Sequence, residues 1–110
     1  MRRVLACCFM SLAAVVSVAA QDTAHGQKVY AAQKCSVCHS IAGHGNAKGK
    51  LDDVGSKLTA DEIREWIVDP VAMTAKAKAA RKPVMAAKYK SLPKEDLDAL
   101  VAYLSSLKKK

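Results

Sequence analysis

Aromatic residues are scarce in this 110-residue chain, which has one Trp, one Phe and three Tyr. The Phe, Phe9, lies in an N-terminal stretch set apart below, so Trp66, Tyr30, Tyr89 and Tyr103 are the only large rings left to the rest. A domain of roughly 90 residues is already marginal on its hydrophobic core alone. With so little ring volume, a large apolar prosthetic group at its centre would supply what the side chains do not. Convincing strand patterns are also missing, as are internal repeats and low-complexity blocks, which points to a single all-α domain.

Cysteine is almost as limited. The first twenty residues, MRRVLACCFMSLAAVVSVAA, hold Cys7 and Cys8. Arg2 and Arg3 form a positive start, Val4 to Val16 is a short apolar stretch, and Val18-Ala19-Ala20 offers small residues for cleavage. This is the layout of a secretory signal peptide, too short for a comfortable membrane span. Cys7 falls too early, ahead of its apolar stretch, to serve as a lipoprotein anchor. The chain therefore divides into a signal peptide, residues 1–20, and one domain, residues 21–110. With Arg2 and Arg3 gone and no acid lost, the net charge of +8 falls to +6, and only Cys35 and Cys38 remain.

Two helices are well delimited. TADEIREWIVDP has Thr59 as N-cap and Glu62 three residues on, the pattern of a capping box. Ile63, Trp66 and Ile67 share one face, and Pro70 ends the run. The last helix starts near Pro93, with Glu95 and Asp96 at the favourable pole of its dipole. Leu97, Leu100, Val101, Leu104 and Leu107 form an amphipathic stripe, and Lys108 to Lys110 close the helix at its negative pole. TAHGQKVYAAQK reads as a shorter first helix that buries Val29 and Tyr30. Residues 40–55, with Gly43, Gly45, Gly49 and Gly55, read as loop. Residues 71–92, interrupted by Pro83 and rich in basic side chains, read as an irregular segment.

The chemistry concentrates in KCSVCHS, residues 34–40. A redox dithiol belongs to a βαβ context that this chain lacks. A structural zinc site needs four ligands, and His25 and His44 do not make a second pair at suitable spacing. A disulfide between Cys35 and Cys38 would close a tiny loop and stabilise little. Covalent haem attachment fits better. Cysteines at i and i+3 lie one turn apart on one side of the chain, spaced for two vinyl groups of one porphyrin, with His39 under the iron. Cys-x-x-Cys-His is a strong signal for this chemistry, and export supplies the compartment in which it is made.

GQKVYAAQKCSVCHSIAG, REWIVDP and ALVAYLSSL, in that order, resemble small bacterial class I cytochromes c over nearly the whole mature chain. The resemblance implies four to five helices around one covalent haem c, with crossing N- and C-terminal helices. Gly26 and Tyr30 against Tyr103 and Leu104 match the family's crossing. It also implies a distal Met shortly before the last helix, which is Met85 in RKPVMAAKY, and a Trp packed on the haem, matched by Trp66. Met73 is the alternative ligand, and His25 and His44 are minor ones. Ala86 stands where the family commonly has Pro after the distal Met. The loop Pro whose carbonyl receives the proximal imidazole is absent from AKGKLDDVG, so another carbonyl near Lys50 is expected to take its place.

A thioether ligand raises the potential and favours electron transfer. The expected function is thus a periplasmic one-electron carrier and not an enzyme. The alternatives are a haem protein that binds small ligands or acts as a peroxidase, and the electron-entry subunit of a larger oxidoreductase. Lys76, Lys78, Arg81, Lys82, Lys88 and Lys90 form a run without acids, read either as a solvated face or as a docking patch for redox partners with acidic surfaces. Nucleic acid is not an expected partner, nor is stable membrane insertion after cleavage.

Overall fold

The computed structural model describes residues 18–109, with side chains from Asp22 onward. Most of the expected signal peptide, residues 1–17, lies outside the described residues. Five α-helices are described: α1 (Val18–Ala32), α2 (Val54–Lys57), α3 (Ala60–Val68), α4 (Pro70–Ala77) and α5 (Lys94–Ser105). The architecture is all-α, as expected. Its extended structure is a two-residue ladder, β1 (Ser40–Ile41) against β2 (His44–Gly45), inside the segment read as loop. Ala42 and Gly43 turn that ladder with positive φ.

The core is the crossing of α1 and α5, with α3 laid across it. Gly26 and Val29 are buried on α1, and Ala99, Leu100, Val101, Tyr103 and Leu104 on α5. A Cβ at Gly26 would meet the Ala99 carbonyl and Tyr103 Cβ, so only glycine allows the two backbones to approach this closely. Tyr30 and Tyr103 complete the crossing edge to face, with centroids 6.0 Å apart. The buried stripe of α5 is broader than the Leu/Val periodicity predicts. Ala99 and Tyr103 widen it because α5 packs against α1 and α3 at once.

Helix α3 begins as its sequence dictates. Thr59 accepts from Glu62 N–H at 3.2 Å and Glu62 Oε1 accepts from Thr59 N–H at 3.0 Å, which satisfies two otherwise orphaned donors. Ile63 and Ile67 are buried, while Trp66 is half-buried. Pro70 ends α3 and also opens α4, where a proline at the first helical position sacrifices no bond. Asp69 caps α4 by accepting from Ala72 N–H at 3.2 Å.

Four elements differ from the sequence reading. Residues 71–77, expected to be irregular, are helical because Asp69-Pro70 starts the helix and alanines sustain it. A 3₁₀ turn, Ala87–Ser91, follows Met85. Helix α1 spans Val18–Ala32, earlier at both ends than the stretch 23–34: Ala19 and Ala20 are strong helix formers at its start, and the left-handed Lys34 lies just past its end. Helix α5 ends at Ser105, so Lys108 and Lys109 lie beyond its last turn and do not cap it. Instead, Lys109 N–H donates to Ser56 Oγ at 2.7 Å and Gly55 N–H to Leu107 O at 2.8 Å, tying the C-terminus to α2.

Candidate haem site

Helix α1 runs out at Ala32, and Lys34 turns the chain with a φ of 55°. A 3₁₀ turn, Cys35–Val37, follows, and the N–H groups of Cys38 and His39 both bond to Cys35 O, at 3.1 and 2.9 Å. Side chains three apart eclipse one another in a 3₁₀ turn. Cys35 and Cys38 therefore project to one side of the chain, and His39 follows directly. Cys35 is half-buried, whereas Cys38 is exposed. Burial pushes the Cys35 thiol up.

His39 is oriented from behind. Its Nδ1 lies 3.0 Å from Gly49 O, so the ring donates Nδ1–H there and keeps the lone pair on Nε2. The carbonyl expected near Lys50 is thus that of Gly49, the residue before it. Asn46 N–H bonds to the carbonyls of Ser36 and His39 at 3.1 and 3.0 Å, and Leu51 N–H to Ser40 O at 2.9 Å. Burial holds the imidazole below its ordinary pKa, and the Arg81 cation adds to this against the opposing pull of Gly49 O. The neutral ring is the form that binds a metal.

The side chains converge on an apolar cavity of about 210 Å³. Tyr30, Cys35, His39, Trp66 and Met85 line it, with Leu, Ile and Val from α2, α3, α5 and the loop before α2. Met85 enters from the segment between α4 and the 3₁₀ turn Ala87–Ser91. Met73 is buried on α4 and does not line the cavity. His25 lies on α1, 2.9 Å from Asp96 Oδ1, and His44 is exposed in β2, so neither reaches the cavity. Among the described residues no cluster of three His, Cys, Asp or Glu could hold a metal ion.

The donor set matches one kind of group: paired thiols on one side of a turn, a neutral imidazole with a free nitrogen, and a thioether in an apolar cavity. The family model described as Cytochrome c matches residues 23–108. The chain belongs to the cytochrome c family. Comparisons with curated proteins and with solved structures found no match. As a class I monohaem c-type cytochrome, it carries a covalently bound haem c with iron. The cavity's apolar walls, with Cys35 and His39 among the lining residues, fit that group, while Cys38 is exposed and lies outside the lining.

Two features of the site are not visible in the sequence motif. Tyr30 Oη is buried without a hydrogen-bond partner, and its hydroxyl is pushed up to about 12, chiefly by burial, so it stays protonated beside the cavity. Arg81, one residue of the basic run, donates from Nη2 to Cys38 O at 2.5 Å. Its place in that run gave no sign of this contact, which spans 43 positions.

Proposed function

We propose that this cytochrome c is a periplasmic one-electron carrier in which Cys35 and Cys38 anchor the haem while His39 and Met85 ligate its iron. The observation that carries the reading is the convergence of His39 and Met85 on one apolar cavity. When bound, the haem supplies a one-electron Fe(III)/Fe(II) couple. The chain's own part is positional. Gly49 O fixes the His39 tautomer and ring direction, and an outer partner of this kind strengthens a ligating imidazole. Leu58, Ile63, Ile67, Leu100 and Leu104 keep water from the cavity, lowering the local dielectric. Trp66 lines the same wall and is assigned to haem packing. No bond-making catalysis is assigned to the chain.

Periplasmic placement rests on the signal-like layout of residues 1–20. Among the described residues no helix is long and apolar enough to cross a membrane. Docking of acidic redox partners is supported by the exposure of Lys76, Lys78, Lys82, Lys88 and Lys90 around the Met85 segment. Val84, beside Met85, and Val37, between the two cysteines, are exposed apolar residues in the same two segments.

Visible spectroscopy of the purified ferric holoprotein tests the ligand set. The weak Met–iron charge-transfer band is expected, together with no CO binding by the ferrous form. A missing band with ready CO binding would support the small-ligand or peroxidase reading instead. Electron-transfer rates to an acidic partner should fall steeply as salt rises, because steering of exposed charges is screened over about 8–10 Å near physiological ionic strength. Rates indifferent to salt would remove the docking role of the lysines.

A further inference from the structure

The segment that delivers Met85 is lightly tied to the rest of the molecule. Among the described residues, Ala79 N–H still bonds back to Thr74 O at 3.0 Å, and Leu92 N–H bonds to Tyr89 O at 3.1 Å. Between them, residues 80–85 make one hydrogen bond to another part of the chain, from Arg81 Nη2 to Cys38 O. The guanidinium sits where Gly49 and the haem-attachment turn meet. A Cβ on Gly49 would strike both Arg81 Nη1 and Cys38 O. Gly49 is also the residue whose carbonyl holds His39. One planar, permanently charged fork therefore touches the cysteine turn and the His39 support from a position four residues before Met85.

We infer that Arg81 is a positioning residue that latches the Met85 segment to the haem-attachment turn and so holds the sixth-ligand side closed. The inference rests on the proposed ligation by Met85 and adds a determinant of its lability. Opening that face requires residues 80–85 to lift, and lifting them breaks the Arg81–Cys38 contact. An external ligand binds only the open form, so its apparent affinity scales with the open fraction. Lys82, next in sequence, is exposed and makes no hydrogen bond or ion pair among the described residues, so it carries the same charge without the latch.

The test is imidazole titration of the ferric holoprotein for the wild type, Arg81→Gln, Arg81→Lys and Lys82→Gln, followed through the Met–iron band. Arg81→Gln should bind imidazole about five- to tenfold tighter, the scale of one charge-assisted hydrogen bond at a wet site. Arg81→Lys keeps the charge but loses the fork, and should bind roughly two- to threefold tighter. Lys82→Gln should stay within about twofold of wild type. An Arg81→Gln protein indistinguishable from wild type overturns the latch, and so does a Lys82→Gln shift as large as that of Arg81→Gln. Should Arg81→Gln fail to accumulate, Arg81→Lys decides alone: unchanged affinity overturns the latch. A wild type without the Met–iron band overturns the ligand reading and the latch together, whereas a normal band with unaltered affinities overturns the latch only.

Discussion

The two sides of the cavity are built differently. On the His39 side, residues 35–52 are stitched to one another: His39 N–H to Cys35 O at 2.9 Å, Asn46 N–H to His39 O at 3.0 Å, Leu51 N–H to Ser40 O at 2.9 Å, Ala42 N–H to Asp52 Oδ1 at 2.6 Å. On the Met85 side, the segment after α4 leans on packing of Met85, Tyr89 and Leu92 against the core, with Arg81 as its one cross-tie between residues 80 and 85. Segments with few backbone bonds and little burial open at low free-energy cost. The imidazole side is over-determined, and the thioether side is held by a few contacts that single substitutions can remove.

The largest effects should come from substitutions that separate ligation from packing. Met85→Ala should abolish the Met–iron band and lower the reduction potential by on the order of 0.1–0.2 V, a part of the roughly 0.8 V that axial ligands command. Met73→Ala should leave the spectrum intact yet cost about 2–4 kcal/mol in unfolding, because Met73 is buried at 8% exposure away from the cavity. Spectra and denaturant titrations of the two holoproteins check this together. If Met73→Ala alone disturbs the ferric spectrum, the ligand assignment is wrong and the contrast between the two sides loses its meaning.

A middle-sized effect separates the helical frame from the site. A Cβ at Gly26 would run into the backbone of Ala99 and the Cβ of Tyr103, neither of which can swing aside. Gly26→Ala should therefore cost about 3 kcal/mol of stability, at the upper end of what overpacking exacts. It should leave the ferric spectrum of the surviving holoprotein unchanged. A Cβ at Gly49 meets a flexible arginine tip as well as Cys38 O. Gly49→Ala should thus destabilise less but loosen the Arg81 contact and raise imidazole affinity. Equal stability losses with no change in imidazole affinity would show that Gly49 matters only as backbone.

Much of this arrangement is legible in the chain because it is local. The Thr59/Glu62 box, the Pro70 stop, the Pro93 start and the i/i+3 cysteines are all set by residues within four positions of each other, and each is where its spacing puts it. The crossing of Gly26 and Tyr30 with Tyr103 and Leu104 is not local, and it was legible only through family resemblance. What stayed hidden depends on contacts between distant segments. The loop glycines suggest flexibility, yet Gly49 is fixed between Cys38, Arg81 and His39. Arg81 is one cation in a run of six in the sequence, and nothing local distinguishes it from Lys82. Helix α4 was masked by basic residues that turn out to lie on its exposed side and just past its end.

The smallest expected effect lies on the frame, away from both ligand segments. Asp98 on α5 accepts from Arg64 on α3 at 2.7 Å and from Lys94 at 2.8 Å, and these hydrogen bonds hold its carboxyl below the ordinary 3.8. Glu62 is likewise lowered from 4.5 by the backbone and hydroxyl of Thr59. A carboxyl depressed in the folded state contributes stability that is fully present above its unfolded pKa and is lost as pH falls through the folded one. Helical content followed by circular dichroism should therefore begin to fall below about pH 4.5, and Asp98→Asn should shallow that decline while lowering stability slightly at neutral pH. Because Lys94 is exposed and Arg64 and Asp98 are only half-buried, salt should erode part of the difference. At pH 7 the Met–iron band should be the same in Asp98→Asn and wild type. A band that weakened in this variant would mean that the α3–α5 pair reaches the thioether side after all, and the frame and the Met85 segment would then have to be treated as one cooperative unit.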